Sequence, residues 1–166
     1  AAKSSNNAAR SLHIFFKKKT RGEKNTERAL DMSKLFDIIV FGATGYSGQF
    51  IAKYLLENYY NNSKSTIHFA LAGRSKTKLE QLVAKIQSEL KKKSDVNYNV
   101  ELLVAEAGNE QSLDDMCKRT RVLLNAVGPF ALYGEAVVKA CLRNKCHYLD
   151  ITGEPAYVNP CVNYIF

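Results

Sequence analysis

The stretch that decides the fold is residues 41–48, FGATGYSG, in which three glycines recur at intervals of three. It follows a short apolar run, residues 37–41 (DIIVF), and leads into a segment with helical spacing, residues 46–58. Glycines placed in this way allow a tight turn, an approachable backbone at the helix start and close packing of the helix on the sheet. The stretch therefore predicts the first strand–turn–helix unit of an α/β fold.

Strand and helix patterns alternate from this unit onward. Further strands are predicted at residues 67–72, 100–105, 121–127 and 146–151. Further helices are predicted after the N-cap Ser75, at 111–118 and at 134–143. Because parallel neighbours need crossovers, which helices supply, the alternation predicts a doubly wound parallel α/β sheet of the Rossmann type.

The apolar spacing also predicts which side of each helix faces the sheet. The predicted inward positions are Phe50, Ile51, Tyr54 and Leu55 in the first helix; Leu79, Leu82, Val83, Ile86 and Leu90 in the second; Leu113 and Met116 in the third; and Ala136, Val137, Ala140 and Cys141 in the fourth. These positions are the expected core of the domain.

The start of the helix after the glycine turn is a candidate anion site. Gly45 has no Cβ, so a pyrophosphate can approach the backbone there. Free N–H groups around Tyr46 and Ser47 and the positive end of the helix dipole favour negative charge. The pattern predicts that a dinucleotide binds at this turn, and the alternative is a close-packed turn without a ligand.

The end of the second strand distinguishes NAD(H) from NADP(H). An NAD site usually has an acid there for the ribose 2′-hydroxyl, whereas a 2′-phosphate is bound by arginine. Residues 71–76, LAGRSK, contain no carboxylate. Arg74 offers a guanidinium to the phosphate and to the adenine, with Ser75 and Lys76 beside it. NADP(H) is therefore favoured over NAD(H), and a merely solvated Arg74 is the alternative.

Two later loops complete the candidate site. After the third strand, Glu106 can accept a hydrogen bond from the adenine amino group, or it is an ordinary surface acid. The loop after the fourth strand, residues 125–130 (NAVGPF), lies at the carboxyl edge of the sheet, where ligands of open α/β folds bind. It either passes beside the nicotinamide ribose or forms a rigid turn that only starts the next helix.

Composition excludes several classes of protein. The chain has 166 residues, 46% hydrophobic and 24% charged, which is typical of a globular domain. No apolar run approaches the ~20 residues of a membrane-spanning helix. The four cysteines form no C-x-x-C pair and have no histidine at metal-ligand spacing, so we predict reduced, intracellular thiols and no metal site.

Most of the positive charge lies in residues 1–31. Eight of the 24 basic and three of the 16 acidic side chains precede Met32, so this segment carries +5 of the formal +8, and nucleic-acid binding is not expected. We predict a mobile arm over residues 1–33. Met32 is a candidate native start, which would make the preceding residues upstream or artificial sequence, and a mitochondrial presequence is the rival because the first 22 residues are basic and free of acid.

Four segments together resemble the saccharopine dehydrogenase-like oxidoreductases. They are GATGYSGQF, LAGRS, NAVGPFALYGEAVVKAC and YLDITGE, and the resemblance spans residues 34–157. It implies the amino-terminal NADP-binding half of such a protein. The cofactor residues that it implies are Gly42, Thr44, Gly45, Tyr46, Ser47, Gly48, Arg74, Asn125, Val127, Gly128, Pro129 and Phe130. Glu106 stands where the family usually has Asp, which leaves the adenine contact open.

The resemblance also implies features beyond this domain. Tyr133, Gly134, Glu135, Asp150, Gly153 and Glu154 are expected to border the substrate side, with no catalytic residue assigned. Family members are much longer, with a second α/β domain that supplies most of the substrate pocket and a homodimer contact. Residues 158–166 do not resemble the family's continuation, so we expect a truncated or alternatively ended product. Animal relatives are associated with lipid droplets, mitochondria and membranes.

These features predict the NADP(H)-binding half of an oxidoreductase that transfers hydride to or from a carbonyl, imine or alkene. The expected substrate is a small or lipid-linked molecule, and the chain alone is expected to be inactive because the substrate must be held close to the nicotinamide. The alternative is a non-catalytic NADP(H)-responsive module or an inactive truncated isoform.

Overall fold

Strands and helices alternate throughout the part of the chain that the computed structural model describes, residues 34–60, 67–90, 97–155 and 157–158. The strands are β1 (Phe36–Phe41), β2 (Phe69–Gly73), β3 (Glu101–Val104), β4 (Thr120–Asn125) and β5 (His147–Asp150). The helices are α1 (Tyr46–Tyr59), α2 (Lys76–Leu90), α3 (Glu110–Cys117) and α4 (Phe130–Arg143). The predicted arm over residues 1–33 and all of the predicted tail except Val158 lie outside the described residues.

The five strands form one parallel sheet in the order β3-β2-β1-β4-β5. The prediction of a doubly wound parallel α/β sheet is therefore confirmed. In the central strand, Ile38 and Val40 are buried on the face that packs against α1 and α2, whereas Ile39 and Phe41 are buried on the face that packs against α3 and α4. The chain moves outward from β1 to β3 and then returns to β4, so the β1–β4 boundary is the topological switch point.

The sequence predicted the inward faces of α2 and α3 correctly and those of α1 and α4 only in part. The buried residues of α1 are Gly48, Ala52, Leu55 and Leu56. Phe50 is instead 46% exposed and meets the ring of Tyr46 edge-on, with the ring centroids 5.5 Å apart. In α4, Ala136 is exposed and Val138 is buried. Among the helices that the structure describes, none has both the length and the hydropathy of a membrane span.

Candidate functional site

The turn between β1 and α1 requires glycine at its first position. Gly42 has a φ of +82°, and a Cβ there would lie 2.7 Å from Cγ2 of Val127. The N–H groups of Gly42 and Ala43 both donate to the carbonyl oxygen of Ala72, at 2.9 and 3.1 Å. The turn is thereby held between the carboxyl ends of β2 and β4, at the switch point of the sheet.

The first turn of α1 presents backbone donors without a side-chain cap. Gly45 is the N-cap residue and supplies no side-chain acceptor, and the first turn contains no acid. Thr44 and Tyr46 are exposed, and Ser47 is half-buried. The first N–H groups of a helix have no acceptor within the helix, and the helix dipole adds positive potential there. The arrangement suits a phosphate group.

Gly48 keeps this helix start close to the turn. A Cβ on Gly48 would lie 2.8 Å from Cα of Ala43 and closer still to the carbonyl oxygen of Gly42. Both obstacles are backbone atoms, which cannot move aside without shifting the whole turn. Gly48 therefore acts through packing, as its predicted role requires, while Gly45 supplies the approachable backbone.

Arg74 follows β2 at the same edge of the sheet. A Cβ on its neighbour Gly73 would be 3.8 Å from Oγ1 of Thr44, so the β2 end and the glycine turn adjoin. Arg74 is exposed and makes no hydrogen bond or ion pair with any residue that the structure describes. Its guanidinium is available to an anion. The Ser75 hydroxyl has a local task, because its Oγ accepts a hydrogen bond from Lys78 N–H at 3.3 Å and caps α2.

Glu106 follows β3 with its backbone fixed and its carboxylate exposed. Ser112 Oγ accepts from the Glu106 N–H at 3.1 Å and donates to the Asn109 carbonyl oxygen at 2.8 Å. Within the described ranges the Glu106 carboxylate has no partner. The carboxylate therefore stays available to an external donor, although nothing in this geometry selects adenine.

Asn125 organises the loop after β4. Its side chain is fully buried, its Oδ1 accepts a hydrogen bond from Val127 N–H at 3.0 Å, and its Nδ2 donates to the Tyr148 hydroxyl at 3.1 Å. This side chain holds the loop in place through these two hydrogen bonds. Val127 is half-buried against the glycine turn, and Gly128 and Pro129, joined by a cis peptide bond, are exposed.

The carboxylate of Glu154 caps α4 from a distant part of the chain. Oε1 accepts from Phe130 N–H at 3.0 Å, and Oε2 accepts from Ala131 N–H at 2.9 Å. The N-cap residue Pro129 offers no side-chain acceptor. The cap explains why α4 begins at Phe130 and not at the predicted residue 134. Glu154 thereby fixes the loop beside the switch point, a function that the spacing of residues in the sequence did not reveal.

Tyr148 and Tyr157 link this cap to the core. Their hydroxyls share a hydrogen bond of 2.8 Å, and burial together with the contact from Tyr157 raises the pKa of Tyr148 well above its ordinary value. The ring of Tyr157 covers Gly134, where a Cβ would not fit. Of the other residues expected on the substrate side, Glu135 forms an ion pair with Lys139 at 2.8 Å, and Asp150 accepts from Thr152 N–H at 3.1 Å.

We expect Glu154→Ala to lower the free energy of unfolding by about 1–2 kcal/mol, because it leaves two helix N–H groups without their anionic acceptor. Urea unfolding of the 166-residue chain measures this change. Glu135→Ala is the matched control on the outer face of α4. It removes an exposed i,i+4 ion pair and should cost about 0.3–0.5 kcal/mol. Equal losses in both variants would contradict the capping function of Glu154.

The histidines lie away from this site. His147 begins β5 and His68 precedes β2, both exposed and both at the amino edge of the sheet, while His13 is outside the described residues. The structure thus brings together the glycine turn, Arg74, Glu106 and the loop after β4 at the carboxyl edge. No described histidine joins them.

A model of a known protein family matches this chain. The model described as the saccharopine dehydrogenase NADP binding domain matches residues 38–164. This description confirms the predicted family and the predicted cofactor, NADP(H).

Three curated relatives illustrate the similarity. The lipid droplet localized protein of Caenorhabditis elegans is 41% identical over 74% of this chain and 28% of its own length. The saccharopine dehydrogenase-like oxidoreductase of Mus musculus is 40% identical over 74% of this chain and 29% of its own. A probable mitochondrial saccharopine dehydrogenase-like oxidoreductase of Arabidopsis thaliana is 34% identical over 75% and 27%. The matched part of the chain thus spans less than a third of these relatives.

A solved structure supports the fold. Saccharopine dehydrogenase (L-Glu forming) of Saccharomyces cerevisiae superposes with a TM-score of 0.54 at 15% identity, over 75% of this chain and 23% of that chain. At this identity the likeness concerns the fold alone.

Proposed function

Because the chain belongs to the saccharopine dehydrogenase NADP binding domain family, we propose that it is the cofactor-binding part of an oxidoreductase and holds NADP(H) at the carboxyl edge of its sheet. The observation that carries the proposal is that an uncapped, glycine-bounded helix start adjoins Arg74, which follows the neighbouring strand and has no partner among the described residues. The first suits a pyrophosphate and the second a 2′-phosphate. The first turn of α1 contains no acid that would oppose a phosphate.

Each residue of the site then has a defined task. The backbone of residues 44–47 receives the pyrophosphate, Arg74 receives the 2′-phosphate, and Glu106 is the candidate partner of the adenine amino group. Residues 127–130 pass beside the nicotinamide half, held by Asn125 and Glu154. When bound, NADPH supplies a hydride, and the protein supplies position and charge around it.

We further propose a carbonyl, imine or activated alkene as the hydride acceptor, carried on an apolar or lipid-linked molecule. Two observations support an apolar neighbour on this side. Leu132 and Tyr133 in the first turn of α4 are 73% and 41% exposed, and Ile151 after β5 is 39% exposed. One relative is named for its location on lipid droplets and another for mitochondria, which makes these compartments the proposed locations.

The remaining machinery is proposed to lie outside this domain. The match covers less than a third of the relatives' length, so a second domain has room to supply the substrate pocket, a homodimer contact and association with a membrane or lipid droplet. A non-catalytic NADP(H)-responsive module is the second candidate. It is favoured by one observation, that the carboxylates of Asp150 and Glu154 both accept hydrogen bonds from backbone N–H groups.

Ser47→Asp tests the phosphate site without removing a packing contact. The new carboxylate would lie in the first turn of α1, where it repels phosphate but complements the helix dipole. We expect NADPH to bind the unaltered chain with a Kd on the order of 1 μM, about −8 kcal/mol. The variant should bind at least about 10-fold more weakly, an electrostatic loss of about 1.4 kcal/mol. NADPH fluorescence titration measures both values.

The control for charge is Gln81→Glu, which adds the same negative charge at an exposed position of α2. Its NADPH affinity should match that of the unaltered chain, and thermal unfolding of Ser47→Asp should show no loss of stability. Unweakened binding by a folded Ser47→Asp variant would contradict the phosphate site. Steady NADPH oxidation with a carbonyl or enoyl substrate by a full-length relative carrying this domain would separate the enzyme from the non-catalytic module.

A further inference from the structure

Three cysteines that are far apart in the sequence meet in the core. Cys117 ends α3, Cys141 lies on α4, and Cys146 directly precedes β5. They are 0%, 1% and 8% exposed, and their three sulfurs all lie within 4.8 Å of one another. Cys117 and Cys146 precede β4 and β5, so this thiol cluster lies toward the amino ends of those strands, away from the glycine turn. The cluster was not predicted, because intervals of 24 and five residues match no familiar metal-binding spacing.

The separations of the sulfurs match those of a metal-bound set. A metal–sulfur bond of about 2.3 Å places three sulfurs around one ion at about 4 Å from each other. Sγ of Cys117 and Sγ of Cys141 are 3.7 Å apart, and the third sulfur is within 4.8 Å of both. Shifts of less than about 1 Å, within reach of side-chain rotation, would complete the set.

The surroundings suit a soft divalent ion. The cluster lies in an apolar part of the core with Val137 and Ala140, and thiolates select soft ions over hard ones. Three thiolates around a divalent ion leave one negative charge. Lys34 lies beside them, with its Nζ donating to the carbonyl oxygens of Cys117 and Asn144 at 2.9 and 2.8 Å.

We propose that Cys117, Cys141 and Cys146 form a three-thiolate site for one thiophilic divalent d10 ion, Zn²⁺ in the cell and Cd²⁺ as its spectroscopic probe. Each thiol that binds gives up its proton to solvent, and no electron is transferred. The ion would tie α3, α4 and the start of β5 together. This placement gives it a structural function, separate from the nucleotide site.

Titration of the reduced 166-residue chain with Cd²⁺ tests the site. We expect ultraviolet thiolate-to-cadmium charge-transfer absorption that saturates at one equivalent, and a higher Tm with Zn²⁺. Cys146→Ser should weaken Cd²⁺ binding by more than the roughly 100-fold that losing an outer-shell partner costs. Cys161→Ser removes the only other cysteine and is the matched control, with the absorption unchanged.

A second measurement covers the event that Cys146→Ser does not fold. In the unaltered chain, held in urea just below its unfolding midpoint so that the buried thiols become accessible, Zn²⁺ should slow the alkylation of Cys117, Cys141 and Cys146, as mapped by mass spectrometry. Absence of charge-transfer absorption at one equivalent, or equal alkylation with and without Zn²⁺, would show a metal-free core of three thiols. Loss of the absorption in Cys161→Ser would contradict a site made of these three thiolates alone. NADPH affinity should be the same in Cys146→Ser, so the outcome is independent of the proposed function.

Discussion

Replacing Arg74 by alanine is expected to abolish the preference of the chain for NADPH over NADH. The guanidinium is exposed, has no partner among the described residues and follows the strand end beside the glycine turn. A hydrogen bond to a charged group contributes about 1.5–3 kcal/mol, so loss of the contact should weaken NADPH binding by about 10–100-fold. Because NADH lacks the 2′-phosphate, the affinity of the chain for NADH should change by less than about 2-fold.

Parallel fluorescence titrations with NADPH and NADH give the ratio of the two affinities before and after the change. Lys85→Ala is the matched control, because it removes one positive charge from an exposed position near the middle of α2. It should leave the ratio unaltered. If Arg74→Ala kept the original ratio, the 2′-phosphate would have to be bound elsewhere. A parallel loss for both cofactors would instead point to the adenine, which both cofactors share, as the partner of Arg74, or to damage to the glycine turn.

The elements with strong periodicity were the ones that the sequence could predict. All five predicted core residues of α2 are buried: Leu79, Leu82, Val83, Ile86 and Leu90. Five apolar residues at helical spacing lie on one side of a helix, so only one orientation of α2 about its axis buries them all. The prediction for the inward face of α1 was partly wrong because the orientation of this helix about its axis depends on Gly48, which has no side chain. Gly48 has to face the turn, which directs Ala52 and Leu56 inward and leaves Phe50 exposed.

The candidate site and the thiol cluster show the same difference between features that a local sequence pattern predicts and features that depend on tertiary contacts. The glycine turn and Arg74 are local patterns, and local patterns can be recognised in a single sequence. The start of α4 is different, because its cap is a carboxylate 24 residues further along the chain, at Glu154. The thiol cluster depends equally on tertiary contacts, since α3 and α4 must pack before Cys117 and Cys141 meet. Neither feature has a signature at short range.

We expect Gly48→Ala to lower the free energy of unfolding strongly, although it adds only one methyl group. The added Cβ would lie 2.8 Å from Cα of Ala43 and closer still to the carbonyl oxygen of Gly42. These atoms belong to a turn that is hydrogen-bonded to β2, so relief requires moving α1 away from the sheet. Overpacking of a core usually lowers the free energy of unfolding by about 1–3 kcal/mol. Because the atoms that the new Cβ meets are rigid backbone, we expect Gly48→Ala to lower it by about 3 kcal/mol or more.

Urea unfolding followed by circular dichroism measures this loss, and NADPH titration of the folded fraction should show weaker binding because the helix start moves. Gly108→Ala is the matched control. It adds the same methyl group where a Cβ meets nothing within 4 Å, so the free energy of unfolding should stay within about 0.5 kcal/mol. If Gly48→Ala were as stable as Gly108→Ala, α1 could not approach the turn as closely as described. The phosphate site built on that approach would then lose its geometric basis.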